Sequence, residues 1–308
     1  MYHKGVALYN QGKLDEAVKV INESIGLNYH WADNWNEILI NDTINMLNYA
    51  ISANPNNTSA WINKGDALHK QGKYDDAIKA YDEAIRLDPK NTSVWFAKAH
   101  VFLGHGQIRN ATEVYNEASN NIKDANVWIA EGLSLDSHCE EAIRCFDRAI
   151  KIYDESISHN SSNVTSWNNK GMAFIYQAKT DQDAYMGLSL YSDEASISKN
   201  LAHASYRKDK WEEALNCFDK ATQLDPKCAN AWYNKGYALW CLNDGYETIE
   251  YYEKAVNCFD MAQKLGDKVD GCLRVTDAMG EWAMRDKLDE MKMMNMTSHD
   301  VDRVAKYK

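Results

Sequence analysis

His100, His105 and His138 are the side chains of this 308-residue chain with the most to offer catalysis or metal binding. Imidazole changes charge near neutral pH and ligates zinc well. Their spacing works against both uses. His100 and His105 stand five residues apart, whereas two ligands on one helical face stand four apart. No carboxylate cluster completes a metal set around them. Cys139 follows His138 directly, but a thiolate and its base must meet in space, which adjacency does not bring about. Gly104 and Gly106 look like part of a phosphate loop, yet no Lys-Ser/Thr follows them. The seven cysteines include no C-x-x-C pair. An odd count without that spacing fits neither a disulfide framework nor a zinc site. Three of them share one context, Cys145-Phe146-Asp147, Cys217-Phe218-Asp219 and Cys258-Phe259-Asp260, which points to a repeated packing position. The sequence therefore predicts no catalytic residue, no metal site and no cofactor. Unpaired cysteines of this kind fit the reducing cytoplasm.

The elements that hold these residues repeat. From Trp61 run Gly65, Leu68, Gly72, Ala77, Tyr81, Ala84 and Pro89. Trp95, Ala111 and Tyr115 each follow Trp61, Ala77 and Tyr81 by 34 residues, and Pro55 precedes Pro89 by the same interval. A period of this length is the mark of stacked helical units, none of which can bury its apolar face alone. The three prolines, Pro55, Pro89 and Pro226, all fall just after predicted helices, where they stop a helix without kinking one. Asp75-Asp76, Asp15-Glu16 and Glu212-Glu213 open predicted second helices, where acidic side chains complement the positive helix end. Asn91 and Thr92 are predicted N-caps. Asn-x-Ser/Thr triplets such as those at Asn91, Asn110, Asn163 and Asn295 read as caps and turns, since no secretion signal accompanies them.

Walking the pattern outward gives an all-α chain. A first copy (Gly5, Leu8, Gly12, Ala17) looks clipped at Met1. A degenerate copy spans about 28–57, strong copies lie at 58–91 and 92–124, and Trp128, Trp167 and Trp232 open later ones. The repeat region is predicted over 1–267. It is degenerate again near 164–194, and its second helices lengthen near 139–158 and 246–265. Residues 268–308 do not repeat and carry Met279, Met284, Met291, Met293 and Met294. They read as capping helices, or as a segment that docks on the array or on a partner.

These residues match the pattern of the tetratricopeptide repeat family: Trp, Leu-Gly, Tyr, Ala, Phe/Tyr, Ala and Pro on a helix-turn-helix unit. The chain resembles that family over roughly residues 1–267. The resemblance implies a right-handed α-α superhelix of about eight helix pairs with first helices lining a concave groove. It also implies binding of an extended peptide or a helix there, as a scaffold or adaptor.

Carried over position by position, the groove begins with the Asn two residues after the repeat tryptophan: Asn63, Asn169 and Asn234. The next position after tryptophan gives Ile62, Phe96, Ile129, Asn168 and Tyr233, and five after it come Asp66, His100, Leu133, Met172 and Tyr237, with Trp240 further on. The implied groove is apolar and aromatic, which favours an apolar or amphipathic protein segment over a charged tail. The family's clamp for chaperone C-termini is not supported, because Tyr2, Val6, Ser93 and Ala97 replace its cations and amide.

The net charge of −11 excludes nucleic acid as a general partner, since phosphate neutralisation needs a basic footprint. No apolar run reaches the roughly 18 residues of a membrane span, and Met1-Tyr-His-Lys-Gly5 has no apolar stretch of a signal peptide. The expected function is non-catalytic protein binding in the cytoplasm. Two alternatives remain: a structural module that stacks end to end as a homo-oligomer through an open N-terminal face, and a regulatory segment of a larger protein.

Overall fold

The computed structural model describes residues 33–135, 138–186, 194–242 and 249–266, together with Leu8, Lys13, Glu16 and Val20; side chains are described from Ile40 onward, except at 182–201. The first predicted copy and the methionine-rich segment 268–308 lie outside the described residues, Leu8, Lys13, Glu16 and Val20 apart. Among the described residues there are eleven helices and no strand. The chain divides into two compact units, Met1–Lys123 and Asp124–Lys308.

In the first unit the helices are α1 (Asp33–Ala53), α2 (Thr58–Lys70), α3 (Tyr74–Leu87), α4 (Thr92–Gly104) and α5 (Ile108–Asn121). The degenerate copy expected near 28–57 is a single 21-residue helix over its described part. Two glycines explain the tight turns within the pairs that follow. Gly72 (φ 78°) and Gly106 (φ 67°) are left-handed, a conformation that costs other residues a steric clash. At each, the glycine N–H and the next N–H bond back onto the helix end: Gly72 to His69 and Lys73 to Leu68, Gly106 to Leu103 and Gln107 to Phe102. This is the Schellman ending, which satisfies carbonyls the helix leaves without partners. Asn57 caps α2 by accepting from the Ala60 N–H. Asn91 sits at the N-cap of α4 as expected, but it makes no cap bond; its Oδ1 accepts from the Ser93 hydroxyl instead.

The second helices α3 and α5 turn a stripe of small and aromatic residues inward: Ala77, Ala80, Tyr81 and Ala84, then Ala111, Val114, Tyr115 and Ala118. Gly65 on α2 makes room for the Tyr81 ring, which the Cβ of any other residue would strike. Burying such a ring removes a large apolar area from water.

The second unit holds α6 (Ala125–Ser134), α7 (Cys139–His159), α8 (Val164–Met186), α9 (Glu194–Leu224), α10 (Ala229–Leu242) and α11 (Ile249–Leu265). The same glycine-to-ring contact joins each pair: Gly132 with Phe146, Gly171 with Phe218, and Gly236 with Phe259. The three Cys-Phe-Asp segments thus mark one packing position, with Cys145, Cys217 and Cys258 all buried. Gly171 meets a ring 47 residues later, against 14 for Gly132. The copy that opens at Trp167 therefore closes on α9 as one long hairpin. Helix α9 is 31 residues long and runs unbroken from Glu194 to Leu224. No glycine or proline lies within it to stop it.

Candidate binding face on the first helices

Two recurring bonds fix the first helices, and neither is visible in the apolar pattern. The repeat tryptophan donates its indole N–H to a carbonyl six residues back: Trp61 to Pro55, Trp95 to Pro89, Trp167 to Ser161 and Trp232 to Pro226, each at 2.9 Å. The lysine three residues after the tryptophan reaches an aspartate on the preceding second helix. Lys98 meets Asp82 at 2.6 Å, Lys170 meets Asp154 at 2.6 Å and Lys235 meets Asp219 at 2.7 Å. The tryptophan bond sets how the chain enters the helix; the lysine bond ties one pair to the next.

The face between these ties differs in the two units. In the first, Ile62, Asn63, Asp66, Phe96 and His100 are all half-buried, so apolar and amide groups from α2 and α4 reach solvent together. Asp66 Oδ1 accepts from the Tyr81 hydroxyl at 2.7 Å. Burial first, and then this carboxylate, push the Tyr81 hydroxyl far above its ordinary range. Phe96 leans toward Tyr115, with ring centroids 6.1 Å apart.

In the second unit the matching residues are covered. Ile129, Asn168, Asn169, Met172, Tyr233, Asn234 and Tyr237 are buried, and Trp240 is half-buried. The expectation that this part of the face looks into solvent is corrected here. Its amides pair with one another: Asn234 Nδ2 donates to Asn168 Oδ1 at 2.9 Å, and Asn168 Nδ2 donates to Asn169 Oδ1 at 3.0 Å. The cause is local, because α8 packs against both α9 and α10. Tyr237 lies against Trp211 of α9, Trp240 of its own helix and the Lys179 ammonium of α8, which stands 4.9 Å from the ring centroid. Tyr233 meets Phe259 edge-on at 4.9 Å. Leu133 on α6 is the exception, half exposed at 49%.

Sequence reasoning missed a polar set on α7, α8 and α9. Gln177 Nε2 donates to Asp147 Oδ1 at 2.6 Å. Asp181 is buried and meets His203 at 2.8 Å and Arg207 at 3.5 Å. The signal for it was the third residue of the Cys-Phe-Asp motif, a charge at the border of an apolar stripe. No group of three or more His, Cys, Asp or Glu side chains placed to hold a metal occurs among the described residues. His100 and His105 do share a neighbourhood, with His69 rather than with a carboxylate set. No described helix is long and apolar enough to cross a membrane.

Comparison with known proteins places the repeat. A family model described as TPR repeat matches residues 65–106 and 202–242. Two models described as tetratricopeptide repeat match 46–79, and 1–30 with 229–257. No curated protein matches the chain. Among solved structures it is similar to YrrB, a TPR protein with an unusual peptide-binding site, at 18% identity over 78% of this chain and 97% of that one, with a TM-score of 0.36. It is similar also to MamA, at 17% identity over 69% and 97% of the two chains and a TM-score of 0.30. The C-terminal part of a TPR repeat-containing protein from Cytophaga hutchinsonii aligns at 13% identity, over 84% and 79%, with a TM-score of 0.35.

Proposed function

The chain belongs to the tetratricopeptide repeat family, and on that premise we propose that it is a non-catalytic protein-interaction scaffold whose partner docks on the first-helix face of the first unit. One observation carries the choice of place: Ile62, Asn63, Phe96 and His100 are half-buried, while their counterparts in the second unit, Leu133 apart, are buried. Asn63 makes no side-chain hydrogen bond among the described residues, so its amide has both a donor and an acceptor to offer a peptide backbone. Ile62 and Phe96 supply apolar area on either side of it. An extended or amphipathic segment with an apolar anchor suits this combination. Of the second-unit candidates, the half-buried Trp240 and the exposed Leu133 are secondary contacts. The described cysteines are thiols, not disulfides, which supports the cytoplasm as the place of action.

The test is selection of displayed amphipathic peptides on the full chain, followed by affinity measurement against Asn63→Ala and Phe96→Ala. Removing an aromatic anchor of this kind is expected to weaken binding by about 2 kcal/mol, some thirtyfold. Peptides that bind both variants as tightly as the parent chain would move the site elsewhere.

A further inference from the structure

The helix pairs of the second unit present nearly the same apolar contacts. Gly132, Gly171 and Gly236 each meet a phenylalanine ring, and the cysteine before each ring is buried. Apolar contact has no direction. A contact that recurs in every pair does not say which pair stacks on which, or at which turn of the helix.

The two side chains that follow the repeat tryptophan do differ. They are Ile129 and Ala130 on α6, Asn168 and Asn169 on α8, and Tyr233 and Asn234 on α10. Asn168, Asn169 and Asn234 are at most 1% exposed. Asn234 Nδ2 donates from α10 to Asn168 Oδ1 on α8 at 2.9 Å, and Asn168 Nδ2 donates to Asn169 Oδ1 at 3.0 Å. One turn further along the same helices come the apolar Met172 and Tyr237, both buried. In the first unit the matching positions are Ile62 and Asn63 on α2, and Phe96 and Ala97 on α4. They hold one amide and no pair.

We propose that Asn168 and Asn234 pin the stacking of the second unit, so that α10 docks on α8 and at one turn only. A buried amide must find a partner, and one left without it loses its hydration for nothing. In the observed register the two amides satisfy each other. A slip of α10 by one turn, about 5.4 Å, sets Asn234 against Met172 in one direction and Asn168 against Tyr237 in the other. Docking on a helix like α6 sets Asn234 against Ile129 and Ala130. Each alternative keeps most of the apolar burial and orphans an amide. A buried asparagine in a coiled-coil seam selects register in the same way, at a cost in stability. The pin stands independently of the binding site proposed above.

The test uses fluorotryptophan NMR on the full chain, with denaturant unfolding followed on the same signals. Trp211 and Trp240 both pack on Tyr237 of α10, so their resonances report where α10 sits. Leucine has the branching of asparagine without its polar atoms. Asn168→Leu and Asn234→Leu are each expected to lower the folding constant by about five- to 150-fold, because each orphans the other amide. The double variant is expected to fall short of the product of the two losses by about tenfold. It is also expected to show more than one resonance for Trp211 and for Trp240, where the parent chain and Asn63→Leu show one each. Multiplying losses, or single sharp resonances at the parent positions in the double variant, overturn the pin. Should the double leucine variant lose its helical signal, Asn168→Ala/Asn234→Ala is read in the same way: split resonances support the pin, and single ones overturn it.

Discussion

Asn63 and Asn234 each stand two residues after a tryptophan that donates to a proline carbonyl six residues back. Asn63 is half-buried. Asn234 is completely buried and bonded to Asn168. The repeat dictates the helix, its entry and its glycine contact in both cases, and it does not dictate exposure. Exposure is decided by what lies across the helix. In the second unit α8 and α9 form a long hairpin whose Trp211 and Lys179 cover the neighbouring α10. In the first unit each pair is short, with helices of 13 or 14 residues from α2 to α5.

The comparison can be broken at its joints. The largest effect is expected from Phe218→Ala, which empties the contact with Gly171. Truncating a fully buried ring costs about 3–5 kcal/mol, and exchange protection over α8 and α9 is expected to collapse while that over α2 to α4 stays. Uniform loss across both units would deny that the two are distinct cooperative regions. Next comes the amide pair. Asn234→Ala leaves the Asn168 carbonyl without its donor in a buried place, at about 1–3 kcal/mol by denaturant unfolding. Asn63→Ala is expected to stay within about 0.5 kcal/mol. Equal costs would mean that the two asparagines share one environment.

Smaller still are the ties between pairs. Lys98→Met and Lys235→Met each remove an ion pair whose aspartate is well exposed, at 50% and 38%. Solvent screening keeps the expected loss to about 0.5–1 kcal/mol, and less in high salt. A salt-independent loss would point to packing of the lysine stem instead. Last, all seven cysteines belong to the second unit, so thiol labelling reports on that unit alone. Burial pushes Cys145 and Cys217 up to about 12 and Cys258 up to about 11. Near neutral pH these three thiols should label only on unfolding, after the half-buried Cys139 and Cys241.

Much of this was legible beforehand. Helix pairing, the small residues at contacts and the turn glycines follow from the spacing of Trp61, Gly65, Gly72, Ala77 and Tyr81, because local geometry alone demands them. The hairpin was not legible. Residues 195–211 hold no breaker, so nothing in the sequence separates a new repeat from one helix running on. The burial of Asn168 and Asn234 was not legible for the same reason: it depends on partners 66 residues apart, and no local rule reaches that far.

Hydroxyl-radical footprinting of the full chain tests the central claim most directly, because it reads side-chain exposure without a partner in hand. Phe96 and His100 are expected to label at rates near those of half-exposed side chains. Met172, Tyr233 and Tyr237 are expected to stay protected, although methionine is chemically the readier target. Fast labelling of Met172 and both tyrosines, at or above the rate of Phe96, would contradict the account and return the binding face to the whole array.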